Sequence, residues 1–306
     1  MMTGQGRLWL ILSLSVLLVS CSRVQLAYNQ LDWLIPYYVD GYIDLNAKQD
    51  SYLDGEVDRL LQWHCGSQLT TYAELIRNAN RDLQQASMDA PRLQFYLDEI
   101  ESFWKTIKRQ ASPAIARLFL TSDPSQIEDF FSGLDERNRE WVHDFRSQNA
   151  DELAEGYRER MSDELERWFG PLSARQQQRV SDWSRQFQPL GMEGLAARQR
   201  WQARLQALFD RRSDEPAFYA GIEALFVNPE TGQPAPYLAR LELNQNATIR
   251  MLVEVSAQMS EHQRGHLDRM AGALASDFEQ LACSGESLKP QPAEESEFSE
   301  MLLDLY

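Results

Sequence analysis

Apolar residues recur at spacings of three and four along nearly the whole chain, with no alternating β-branched runs and little glycine or proline, a pattern that predicts helix almost throughout. From Tyr28 one stripe runs through Leu31, Ile35, Tyr38, Tyr42 and Leu45, while Trp33, Leu34 and Tyr37 fall on another face. That segment is apolar nearly all round, so it is expected to lie buried in a bundle, bent or broken at Pro36. Further helices are predicted over 46–64, 71–87, 91–110 and 124–131, the last opened by Asp123 as N-cap and Pro124 at the first helical position. The span 134–169 reads as one long helix. Its Trp141, Phe145, Leu153, Tyr157, Met161, Leu165 and Trp168 drift around the axis, as packing against several neighbours requires, and Gly170-Pro171 ends it. Helices from Ser173, over 195–208, 216–226, 236–258 and 260–282 complete an all-α, elongated multi-helix bundle without sheet. Asn228-Pro229, Gly232 and Pro234 make residues 227–236 the candidate hinge.

Three of these helices start alike: Leu45-Asn46-Ala47-Lys48-Gln49, Leu172-Ser173-Ala174-Arg175-Gln176 and Met259-Ser260-Glu261-His262-Gln263. In each, the N-cap side chain (Asn46, Ser173, Ser260) can accept from the N3 amide while the N3 glutamine (Gln49, Gln176, Gln263) reaches back to the N-cap amide. The register downstream repeats as well, with Leu53 and Leu60, Val180 and Phe187, and Leu267 and Leu274 at matching offsets. No hydrophobic staple accompanies them, since the N4 places hold Asp50, Gln177 and Arg264.

The N-terminus departs from this pattern. Arg7 precedes an apolar run from Leu8 to Val19, and Leu18-Val19-Ser20 leads directly to Cys21, the layout of a bacterial lipoprotein signal peptide. The run is shorter than the roughly 20 residues a membrane span needs. Residues 1–20 are therefore expected to be removed, with Cys21 lipidated as the first mature residue. Residues 21–27 then form the tether, 28–284 the helical domain, and 285–306 a tail of Lys, Pro, Gln, Glu and Ser. The tail ends in the apolar Phe298, Met301, Leu302, Leu303, Leu305 and Tyr306, which either dock on the bundle, dock on a partner, or fray. Acylation of Cys21 leaves Cys65 and Cys283, which in an oxidising compartment pair as a disulfide and otherwise stay buried thiols.

Charge narrows the partners. The formal net charge of −16 repels phosphate backbones and anionic headgroups, so nucleic acid is not expected as a ligand.

Two resemblances add to this reading. The three helix starts resemble the L-T-x-x-Q signature of the small periplasmic Spy-type chaperones and stress sensors, all-helical proteins that shield unfolded clients. More broadly, Tyr28-Asn29-Gln30-Leu31-Asp32-Trp33-Leu34-Ile35, Tyr38-Val39-Asp40, Tyr42-Ile43-Asp44-Leu45, Gln49 and Trp63-His64 resemble a family of uncharacterised lipoproteins of Gram-negative bacteria. Arg167-Trp168-Phe169-Gly170-Pro171-Leu172-Ser173 and Gln176 fit that family too, whereas Cys65 stands where its members typically carry Arg. The resemblance implies location and fold class and no activity.

The search for chemistry returns little. His262 and His266 share a helix face at a metal-binding spacing, but Gln263 replaces the glutamate of H-E-x-x-H, so a helix-surface pair is expected and no metal or other cofactor. His143 has no ligand set near it in sequence. There is no G-x-S-x-G, P-loop, dinucleotide fingerprint or C-x-x-C. The candidate binding residues are Tyr38, Asp40, Tyr42, Asp44 and His64. Asp40 and Asp44, read as sharing a helix face, either hold a cation or a basic client or are simply solvated. His64 lies between Trp63 and Cys65, where a Cys-His nucleophile would need a reduced thiol. The expectation is a non-enzymatic protein, lipid-anchored at the periplasmic face of the outer membrane. Ser22 after the lipidated cysteine favours that sorting. Its role would be chaperone-like binding of an unfolded or envelope protein client, or assembly within an envelope complex.

Overall fold

The computed structural model describes the chain from Arg23 to Cys283, apart from residues 147–148 and the side chains of residues 144, 146 and 150. The expected signal peptide and tail, with Cys21, fall in residues 1–22 and 284–306, which lie outside the described residues. Among those described there are twelve helices and no strand, an all-α bundle. They are α1 (Arg23–Tyr28), α2 (Leu31–Asp40), α3 (Ala47–Ser67), α4 (Leu69–Gln84), α5 (Ala90–Thr121) and α6 (Pro124–Arg146). The second half holds α7 (Ala150–Phe169), α8 (Ala174–Gln186), α9 (Gly191–Phe209), α10 (Glu215–Val227), α11 (Ala235–Ser256) and α12 (Glu261–Leu281).

Two large cores organise the packing. The first gathers α3, α5, α6, α9 and α10 around Leu53, Val57, Phe119, Phe130, Leu205 and Ile222, with Ile43 and Leu45 from the loop before α3. The second gathers α7, α8, α11 and α12 around Leu165, Phe169, Val180, Trp183, Val255 and Leu267. A small third cluster of Cys65, Leu69 and Leu281, flanked by Val24, Tyr28, Tyr72 and Phe278, closes the end where α1, α3, α4 and α12 meet. There Cys65 and Cys283 form a disulfide with Cα atoms 5.2 Å apart, and the Cys283 amide donates to the Cys65 carbonyl at 3.2 Å.

Helix starts join helices within each large core. Gln49 at the start of α3 pairs with Gln126 at the start of α6, amide to amide in both directions at 3.3 and 2.9 Å. Gln176 of α8 pairs with Gln263 of α12 in the same way, at 3.3 and 3.0 Å. All four side chains are buried. Each also accepts from the backbone N–H of its own N-cap, Asn46, Asp123, Ser173 or Ser260. The boxes at Asn46, Ser173 and Ser260 thus have a fourth partner at Asp123, whose carboxylate accepts from the Ser125 and Gln126 amides.

Several expectations need correction. The span 134–169 is two helices, because Asn149 starts a new capping box with Glu152. The helix predicted over 91–110 does not end there; α5 continues through Pro113 to bury Ala116, Leu118 and Phe119. The supposed tether 21–27 is helical from Arg23, and the break near Pro36 falls instead at Asn29-Gln30. The aromatic opening is not buried. Because α2 packs chiefly on α3, Leu34 is covered but Trp33 and Tyr37 stay 50% and 62% exposed.

Candidate functional site

The five candidate binding residues do not form one site. Tyr38, Asp40, Tyr42 and Asp44 lie beside the start of α3 and His64 near its far end, about 25 Å away by the helical rise. Asp40 and Asp44 do not share a helix face, since α2 ends at Asp40 and the burial of Ile43 and Leu45 draws the chain off the helical path. Tyr42 carries the Arg137 guanidinium 3.7 Å over its ring, while Arg137 donates to the Gly41 carbonyl at 2.7 Å. The Asp44 carbonyl accepts from Gln126. Tyr42 and Asp44 therefore fasten α6 to the loop before α3, and Asp40 is solvated.

His64 is half-buried among rings. The Tyr28 hydroxyl lies 2.9 Å from His64 Nδ1, and the Tyr72 ring is 5.4 Å away. Burial lowers the histidine pKa; burial and then Tyr72 push the Tyr28 phenol up to about 12. Both groups are thus neutral near pH 7 and joined by a hydrogen bond whose donor follows the imidazole tautomer. With Cys65 in the disulfide, no thiolate stands beside His64. His266 Nε2 bonds the Arg167 carbonyl at 3.1 Å, so that histidine clamps the end of α7. Among the described residues, no group of three His, Cys, Asp or Glu is placed to hold a metal ion.

A concave feature among the described residues lies elsewhere. Helices α6, α7, α9 and α11, with the loops before α9 and α11, border an open groove of about 790 Å³. Trp141 and Phe145 of α6 stack at 4.9 Å along it, and Tyr157 of α7 meets Phe187 at 4.6 Å. Trp201 and Tyr237 add two more rings. Trp201 is held by its Nε1, which donates to the Leu225 carbonyl at 3.1 Å. Phe145 reaches the groove because residue 191 is glycine: at φ +47° a Cβ there would stand 2.7 Å from the ring. The segment before α11, the candidate hinge, is bonded to α9. Gln233 accepts from Arg200 at 3.0 Å and donates to the Ala197 carbonyl at 3.0 Å.

Two cations border the rings. Arg160 lies 5.1 Å over Tyr157 and Arg198 5.8 Å over Trp141, within the range of cation–π attraction. An open apolar trough with a few placed polar groups suits an extended apolar segment better than a small molecule that must be enclosed. The drift of Trp141, Phe145, Leu153 and Tyr157 around the helix axis was the sequence signal for it. Four residues that read as one helix without a single seam belong to two helices facing across a gap.

The model of a family of unknown function (DUF6279) matches residues 41–237, which takes in most of the groove and the first glutamine pair. No curated protein and no solved structure matches the chain.

Proposed function

The chain belongs to that family of unknown function, and we propose that it is a lipid-anchored protein of the periplasmic face of the outer membrane that holds apolar segments of unfolded or assembling envelope proteins without catalysing a reaction. The observation that carries this reading is the aromatic groove, left open between four helices where a bundle would otherwise bury its rings. Its two arginines, in a chain of net charge −16, would hold a client's carboxylates near the rings. The Leu18-Val19-Ser20-Cys21 box supports the anchor, and no helix among the described residues is long and apolar enough to cross a membrane.

The test uses soluble protein lacking residues 1–21, mixed with an unfolded outer-membrane protein diluted from urea and followed by light scattering. Suppression of aggregation near equal molar ratio is expected, and its loss in Trp141→Ala and in Arg160→Glu/Arg198→Glu proteins of unchanged helicity. Undiminished aggregation at large molar excess removes the reading and leaves assembly within an envelope complex as the alternative.

A further inference from the structure

A second apolar surface faces outward on the opposite kind of terrain, a convex helix face rather than a groove. Leu26 on α1 is 40% exposed, and Trp33 and Tyr37 on α2 are 50% and 62% exposed. Trp33 stacks on Tyr37 at 5.5 Å and Tyr37 meets Tyr38 edge-on at 6.1 Å, so the rings form one continuous plate. The other side of α2 is the one the fold uses: Leu34 is buried, and Ile35 and Val39 pack on the first core. Trp and Tyr are the side chains that settle at a membrane–water boundary, with rings among the acyl ends and polar tips at the headgroups.

The chain outside the described residues indicates what covers this plate. Only Ser22 separates Cys21 from Arg23, the first helical residue, so an acyl-bearing cysteine reaches no more than about 7 Å from the start of α1. Trp33 stands ten residues further along the chain, about 15 Å at the helical rise. Helix α1 cannot swing free to lengthen the tether, because Gln25 donates to Asp277 and to Gln280 of α12 at 3.0 and 2.9 Å. The whole bundle therefore pivots on one short link, and the plate beside that link is the apolar face within reach of the surface.

Resting on the lipid anchor proposed above, we infer that the outer face of α1 and α2, with Leu26, Trp33 and Tyr37, beds into the headgroup region of a zwitterionic bilayer and so sets the orientation of the bundle on the membrane. Neutral lipid is specified by charge: Asp32 and Asp40 flank the rings on the same helix, and the net charge of −16 opposes an anionic surface. With the plate down, the anchor acts as a hinge with a fixed stop, and the bundle is presented to the periplasm in one attitude.

The experiment takes the full chain, processed and acylated in a Gram-negative host, and reconstitutes it in phosphatidylcholine vesicles after mass spectrometry of its N-terminal peptide. Trp33 emission is isolated as the difference between the wild type and Trp33→Phe, an exposed substitution that leaves the fold intact. Bromine-labelled lipid is expected to remove about half or more of that component, and aqueous iodide to lose its access to it. Adding phosphatidylglycerol should weaken the bromolipid effect. An acylated protein whose Trp33 remains open to iodide overturns the inference alone. Shielding from both quenchers also overturns it, since a protein partner or second copy then covers the plate. An unacylated product overturns the anchor and this inference together, whereas absence of aggregation suppression touches neither result.

Discussion

The pair Gln49–Gln126 and the pair Gln176–Gln263 are two versions of one joint, and they differ in how one amide reaches its far carbonyl. In the second, each amide donates to its partner and to a backbone carbonyl: Gln176 to Val255 at 3.1 Å and Gln263 to Pro171 at 2.9 Å. In the first, Gln126 donates to the Asp44 carbonyl, two residues before its partner's N-cap as Pro171 is before Ser173. Gln49 does not reach the matching carbonyl. It donates to the Ser122 hydroxyl at 3.4 Å, which donates onward to the Leu118 carbonyl at 2.8 Å. Leu118 stands five residues before Asp123, as Val255 stands five before Ser260. The residue preceding each N-cap is Leu45, Leu172 or Met259 in three boxes and Ser122 in the fourth, all buried. A buried amide must have every donor met, so where the carbonyl is out of reach a hydroxyl replaces the apolar side chain and relays the bond.

The largest expected effect comes from separating the two joints. Helix α3 begins at the first joint and carries Cys65 near its end; α12 begins at the second and is followed by Cys283. The disulfide is thus the covalent strut between them, closing a loop of 218 positions. Cys65→Ser/Cys283→Ser should lower unfolding free energy by about 4 kcal/mol, chiefly by freeing the unfolded chain. The urea midpoint read by circular dichroism checks this, and reduced wild type should match the variant.

Within the joints, Gln176→Ala is expected to cost about 3 kcal/mol, since in a fully buried place it orphans the Ser173 amide and half of the Gln263 amide and leaves the Val255 carbonyl with the Gln258 amide alone. Gln49→Ala should cost about 2 kcal/mol, because the lost far contact is to a hydroxyl oxygen whose own O–H still donates to the Leu118 carbonyl. Equal urea midpoints for the two variants would show that the relay is as costly to break as the direct bond.

Which parts of this were legible follows from distance along the chain. Asn46 with Gln49, Ser173 with Gln176 and Ser260 with Gln263 could be read because a capping box is complete within four residues. The pairing could not be, since Gln49 finds Gln126 77 positions away and Gln176 finds Gln263 87 away. Asp123 and Gln126 have the same spacing, but Ser122 lacks the apolar letter that marked the other three starts. Trp33 and Tyr37 were read as core because periodicity tells which residues share a face and not how many neighbours a helix has. The same limit hid the groove. Trp141 and Tyr157 were assigned to one helix, and only the break before Asn149 lets them face each other across open space. Tyr38, Asp40, Tyr42, Asp44 and His64 were grouped by residue type within a short stretch, and a straight helix between them keeps them apart.

The smallest effect is also the sharpest probe of the difference between the joints. Ser122→Ala removes the relay and nothing else: the Gln49–Gln126 amide pair, the Asn46 and Asp123 caps and the Asp44 carbonyl contact all remain. One donor of Gln49 loses its acceptor, in a pocket where Ser122 is 4% exposed and water has little access, while the Leu118 carbonyl keeps the Thr121 hydroxyl as donor. The expected cost is about 1 kcal/mol, seen as a lower urea midpoint at unchanged slope. In a Gln49→Ala background the same substitution should cost almost nothing, because the relay then has no donor to serve. A full second penalty in that background would mean that Ser122 acts only through its own bond to Leu118, and that the two joints share a shape without sharing a circuit.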